Sequence, residues 1–118
     1  MFKKENRLVP GVKFNKASFI NVPQFILKEI KNNLGVNRFG VVVSKKIDKR
    51  AVIRNKVKRS FRNALCNLNE KIVLGHDILI IVKKGVLGKT EEENRVFLED
   101  VLKKKGILIN EKNINHNN

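Results

Sequence analysis

Between Ile53 and Leu68 the apolar residues Ile53, Val57, Phe61, Ala64, Leu65 and Leu68 recur at the spacing of one helical face. At about 100° per residue they cover roughly a third of the wheel, a normal core-facing stripe. The rest of the chain is organised around this stretch, from Ser44 to Leu68. Elsewhere the period drops to two. Pro23 to Ile30 reads as a strand, with Phe25 and Leu27 on one face and Gln24, Ile26 and Lys28 on the other. Arg38 to Lys45, rich in valine, reads as a second strand, and Asn32 to Asn37 supplies turn residues between the two. An antiparallel hairpin is their simplest pairing. Ile78 to Val82 is apolar at every position, as in a central strand covered on both faces. Strand, helix and strand in succession make the second and third strands parallel.

Toward the N-terminus the pattern is weakest. Pro10-Gly11 breaks or starts an element, and a short helix over about 12–19 is expected, with Phe14 and Phe19 as its large apolar groups. Asp48 is placed to N-cap the central helix. After a glycine-punctuated loop from Lys83 to Lys89, Thr90-Glu91-Glu92-Glu93 matches a capping box. It opens a helix to about Lys105, with Val96, Phe97, Val101 and Leu102 facing inward. Acids sit on its positive end and lysines on its negative end, and Gly106 closes it. Residues 1–109 are expected to form one domain, and the asparagine-rich tail 110–118 to be disordered. The predicted fold is a two-layer α/β (α+β) sandwich in the order α-β-β-α-β-α, a short sheet with helices packed on it.

Charge changes the picture. The chain of 118 residues carries a formal charge of +15. Lys45 to Arg62 holds nine cations and one acid, so more than half of the net charge lies there. Arg54, Lys58 and Arg62 stand four apart, and each such like-charge pair costs roughly 0.2–0.5 kcal/mol. A buried large apolar side chain contributes about 1.5–3 kcal/mol, so packing tolerates the repulsion without explaining it. A merely solvated face usually mixes signs; this one points to an anionic partner. Nucleic acid is the first class. A membrane surface is second, but the apolar face lacks the tryptophan that interfacial helices often use. No apolar run reaches the length of a membrane span, and the N-terminus lacks a signal-peptide stretch. One cysteine excludes an internal disulfide and fits a reducing compartment, so a cytoplasmic protein is expected.

Catalytic chemistry is sparse. Asp48 fits a cap, Asp77 a turn and Glu91 to Glu93 a helix start, so no carboxylate cluster for metal ions is expected. His76 beside Asp77 is either an acid–base pair or, on the plainer reading, a turn histidine. Cys66, on the polar side of the basic helix, reads as an exposed or half-exposed bystander thiol. No P-loop, dinucleotide or zinc-ligand pattern occurs. These residues point to binding, without catalysis by the protein itself. A recognition helix for DNA comes with neighbouring helices. Here the basic helix lies between strands, which favours structured RNA over DNA.

At these residues a family likeness emerges. Ala51-Val52-Ile53-Arg54-Asn55-Lys56-Val57-Lys58-Arg59-Ser60-Phe61-Arg62 resembles the signature of the bacterial ribonuclease P protein subunit. Asn6-Arg7-Leu8, Val43-Ser44-Lys45-Lys46 and Gly75-His76-Asp77-Ile78 match in the right order, and the resemblance spans about 5–108. It implies a fold like the second domain of ribosomal protein S5, with a left-handed βαβ crossover where strand–helix–strand physics favours a right-handed one.

It also implies a function: the accessory subunit of a ribonucleoprotein endoribonuclease that removes the 5′ leader of precursor tRNA. The catalytic RNA would hold the Mg²⁺ ions, and the protein would bind no cofactor of its own. One protein, a monomer, would join one RNA, with neither DNA nor membrane as partner. Lys45, Lys46, Arg50, Arg54, Asn55, Lys56, Lys58, Arg59 and Arg62 would dock on that RNA. Phe14, Phe19 and Lys28 would line the groove for the single-stranded leader, where stacking on an aromatic ring is worth about 1–3 kcal/mol per base. Phe14 and Phe19 also suit a plain core. This chain departs from the family at Lys56, where arginine is usual, at Lys28, aromatic in some relatives, and at Phe19, one residue out of step. Another small RNA-binding protein, such as a ribosomal protein, is the alternative, and an independent nuclease is a third.

Overall fold

The computed structural model describes residues 3–9, 12, 14 and 17–109. Strands β1 (Ser18–Asn21), β2 (Phe25–Lys31) and β3 (Arg38–Val42) precede helix α1 (Ala51–Leu68); β4 (His76–Val82) and helix α2 (Glu91–Lys104) follow. They make a mixed sheet in the order β1-β2-β4-β3, with β3 parallel to β4 and the other pairs antiparallel. Phe25, Leu27, Phe39, Val41, Ile78, Ile80 and Val82 bury one sheet face. Phe61, Ala64, Leu65 and Leu68 of α1 and Leu98, Val101 and Leu102 of α2 complete the core.

The hairpin expected between β2 and β3 does not form, because β4 lies between them. Its all-apolar run gains most at a central position, with a hydrogen-bonded neighbour on each side. Two strands one place apart are roughly 10 Å from each other, which the Asn32–Asn37 link spans. That link wraps the start of β4. Asn32 N–H donates to the Gly75 carbonyl at 2.8 Å. Asn37, expected as a turn residue, is fully buried; its amide oxygen accepts from the His76 N–H at 3.0 Å and its amide nitrogen donates to the Ile72 carbonyl at 3.3 Å.

The helix expected over 12–19 falls partly on residues outside the described set, as do Pro10-Gly11 and the 110–118 tail. Where the segment is described, Ser18 and Phe19 already belong to β1, so strand pairing with β2 replaces helix there. The second strand also ends early, at Val42, and Ser44 to Ile47 form a turn. Asp48 is not the N-cap of α1. Arg50 is, and Asp48 Oδ1 instead accepts the Arg50 N–H at 2.8 Å. The capping box of α2 is present, with Glu93 N–H donating to Thr90 Oγ1 and Thr90 N–H to Glu93 Oε1, each at 3.1 Å. Val96 is exposed rather than inward; Asn94, Leu98, Val101 and Leu102 face the core.

His76 and Asp77 are neither a turn nor an acid–base pair. Successive strand residues point to opposite faces, and each finds its own partners. His76 is buried, with Nδ1 2.8 Å from the Val73 carbonyl and Nε2 3.3 Å from Glu29. Asp77 accepts Nε and Nη2 of Arg38 at 2.8 and 2.7 Å and the Asn32 amide at 2.9 Å. Burial pushes its carboxyl up, but the hydrogen bonds from Arg38 and Asn32 outweigh that and hold it below the ordinary value of 3.8. A depressed carboxylate stabilises the fold above its unfolded pKa and loses that contribution as the pH falls. Asp77→Asn should therefore lower Tm most near neutral pH, and the gap to the parent should close as the medium is acidified below about pH 4. Parallel melting curves against pH would contradict this.

Candidate nucleic-acid interface

Helix α1 is anchored by Phe61, whose ring meets Phe25 of β2 edge-on at 5.6 Å and 80°. With that face inward, Asn55, Lys56 and Arg59 are exposed and Arg54, Lys58 and Arg62 half-buried at the edge of the stripe. Lys45 and Lys46 are exposed on the turn before the helix. No acid occurs within α1. Among the described residues, no carboxylate lies within 4.0 Å of the charged atoms of Lys45, Lys46, Arg54, Lys56, Lys58, Arg59 or Arg62. Helix α2 shows the contrast: its one arginine, Arg95, pairs with Glu92 and with Glu99. Among the described residues, the same chain neutralises a helix cation there and leaves five on α1 without a carboxylate partner.

The start of α1 is organised without an acid in its first turn. Arg54 Nη1 donates to the carbonyls of Asp48 at 3.0 Å and Lys49 at 2.7 Å, which holds its guanidinium against the preceding turn. Among the described residues, Arg50 alone of the docking candidates has an internal ion-pair partner, Asp48 at 2.9 Å. The Arg50 guanidinium and backbone N–H lower the Asp48 carboxyl to about 2.

Two of the groove candidates, Phe19 and Lys28, come together on the other face of the sheet. Phe19 on β1 is the direct neighbour of Lys28 on β2, and Leu79 of β4 and Gly40 of β3 continue the row. Since Phe25 meets α1 from the opposite face, neither helix covers this row. Phe19 is 63% exposed, so it is no core residue. Phe14 is half-buried. Ile26 and Ile81, half-buried, floor the same face, so β4 is central but is covered by helices on one side only. Alternation within β2 carried that signal; the continuous apolar run of β4 hid it. At the far edge the N-terminal segment runs alongside β3, with a parallel bridge between Arg7 and Phe39 and the Leu8 N–H donating to the Phe39 carbonyl at 2.9 Å. A Cβ at Gly40 would lie 3.1 Å from the Leu8 side chain, so glycine lets that side chain pack close against β3. Asn6 donates to the Asn37 carbonyl at 2.7 Å. Asn6 and Leu8, read only as motif residues, thus clamp the N-terminal segment to the sheet.

Cys66 is half-buried on α1. Among the described residues no three His, Cys, Asp or Glu side chains gather to hold a metal ion, and no helix is long and apolar enough to cross a membrane.

Known proteins share both sequence and fold with this chain. A "Ribonuclease P protein component" of Clostridium botulinum (strain 657 / Type Ba4) is 37% identical over 110 residues, 88% of this chain and 97% of that protein. One from Bacillus cereus (strain B4264) is 38% identical over 85 residues, 71% of this chain and 73% of its own length. A Staphylococcus aureus RNase P protein mutant superposes with a TM-score of 0.79 at 28% identity, covering 89% of this chain and 92% of that one. The Thermotoga maritima RNase P protein does so at 0.71 and 27%, covering 77% and 86%. The family profile described as "Ribonuclease P" matches residues 2–106. With nearly the whole described fold inside that match, the chain belongs to the ribonuclease P protein family.

Proposed function

We propose that this chain is the protein subunit of a cytoplasmic ribonuclease P, assisting a catalytic RNA in removing the 5′ leader from precursor tRNA. The observation that carries the reading is the acid-free cationic face of α1, held outward by Phe61 and unpaired along its length. Lys45, Lys46, Arg54, Asn55, Lys56, Lys58, Arg59 and Arg62 dock there on RNA backbone, and Arg50 joins them by exchanging Asp48 for phosphate. Arg54, fixed by two carbonyls, keeps its remaining donors for the partner. Phe19 stacks on a leader base while Lys28, its neighbour across the strands, offers charge to the adjoining phosphate. Phe14 belongs to the same groove. One protein serves one RNA. The Mg²⁺ ions of the reaction sit on RNA; among the described residues Asp77, Asp48 and Glu92 pair with Arg38, Arg50 and Arg95, and Glu93 closes the α2 cap.

Reconstitution tests this. Added to a bacterial ribonuclease P RNA at low Mg²⁺, the protein should raise cleavage of precursor tRNA, and the protein alone should cleave nothing. Absence of stimulation would remove the subunit assignment and leave a different small RNA-binding protein. Phe19→Ala should weaken binding of precursor tRNA about tenfold, the loss of one stacked base. Mature tRNA, which has no leader, should bind the variant and the parent alike.

A further inference from the structure

Beside the docking face, α1 forms one wall of a cleft of about 480 Å³. The loop after β4 and the first turns of α2 form the others. Val57 and Val86 make it apolar on one side, and Lys56, Arg59 and Lys89 outnumber the one acid of the lining, Glu91, so its charge is positive. Two polar atoms in its lining are anomalous. Among the described residues, Ser60 Oγ and Asn94 Oδ1 are closed off from water and have no hydrogen-bond partner. Asn94 is only 3% exposed. Buried polar atoms are nearly always paired, and an apolar side chain of similar shape would remove the cost of an orphan. Stability gives no reason for two of them in one cleft.

We infer that this cleft receives one unstacked nucleotide of the RNA on which α1 docks; the assignment rests on the docking reading. The chemistry selects a base with its phosphate. Once the loop of Val86 to Lys89 is displaced and uncovers them, Asn94 Oδ1 accepts from a ring-edge N–H or amino group, and the Ser60 hydroxyl both donates and accepts. The apolar wall takes the face of the ring, and the cations take the phosphate. Proteins that read structured RNA commonly bind such splayed-out bases. The loop is built to yield at one end. A Cβ at Gly85 would fall 2.2 Å from the Pro23 carbonyl oxygen, so that point is pinned to the β1–β2 turn. Gly88, at φ +79°, has nothing within 4 Å of its Cβ direction.

Ser60→Ala in the full chain is the test, because it removes an orphan without opening a cavity. Its Tm should equal or exceed the parent's, while affinity for a bacterial ribonuclease P RNA falls about threefold to tenfold, as for one lost hydrogen bond. The salt slope should not change, since no phosphate contact is lost. In the ¹⁵N-labelled protein, adenosine 5′-monophosphate should shift the amides of Ser60, Asn94 and Val86 to Lys89, and ribose 5-phosphate should leave Ser60 and Asn94 unmoved. Parent-like RNA affinity for Ser60→Ala, or identical shifts from the two phosphates, would overturn the cleft assignment. Arg62→Ala, outside the cleft, separates the two ideas. If it flattens the salt slope while Ser60→Ala does nothing, only the cleft falls. If its slope is unchanged, the docking reading falls with it.

Discussion

Arg59→Ala combined with Arg62→Ala should weaken binding to a bacterial ribonuclease P RNA about a hundredfold while leaving the fold intact. A hydrogen bond to a charged group is worth about 1.5–3 kcal/mol, and two at the lower bound come to about two factors of ten. Each lost phosphate contact also removes about 0.7–0.9 from the slope of log affinity against log salt. The double variant should therefore have a slope shallower by roughly 1.4–1.8. Neither arginine has an acid partner within the described chain. Their removal should leave Tm unchanged or slightly raised, through relief of the Lys58–Arg62 repulsion. Unaltered slopes, measured by filter binding across a salt series, would mean the face points at something other than phosphate.

The second large effect is on the fold. Phe61 is fully buried and stands edge-on to Phe25, joining α1 to the sheet. Phe61→Ala should destabilise the protein by about 3–5 kcal/mol, a fall in Tm on the order of 10–20 °C for a domain of this size. Val52, on the same helix but 78% exposed, provides the control. Val52→Ala should change stability by less than about 0.5 kcal/mol. Thermal and urea unfolding decide the matter, and equal effects for the two would show that α1 is not seated through Phe61. RNA binding by Phe61→Ala should decline in step with its folded fraction. The arginine variant, by contrast, should lose binding with the fold intact.

Residues close in sequence made much of this legible. The α1 stripe, the bare basic face, the Thr90–Glu93 box and the alternation of β2 all follow from neighbours within about four positions, and the structure has each of them. The amphipathic pattern puts Asn55, Lys58, Arg59 and Arg62 on the side of the helix opposite the apolar stripe, with Arg54 and Lys56 flanking, because helical geometry alone sets that arrangement. The misjudged features were those whose energy comes from elsewhere in the chain. Asn37 resembles a turn residue locally, yet its value lies in bonds to Ile72 and His76, 35 and 39 positions away. Asp77 sits in an apparent turn until Arg38 arrives from 39 positions upstream.

By itself, then, the order of residues determined an acid-free amphipathic helix flanked by strands, and with it the anionic class of partner. Only the tertiary structure decided that β4 separates β2 from β3, that Phe19 stands beside Lys28 on an open sheet face, and that Ser60 and Asn94 are left unpaired in one cleft. The reason is physical. Periodicity is a local property, whereas strand order and the pairing of buried polar atoms depend on which distant segments win the competition to be adjacent.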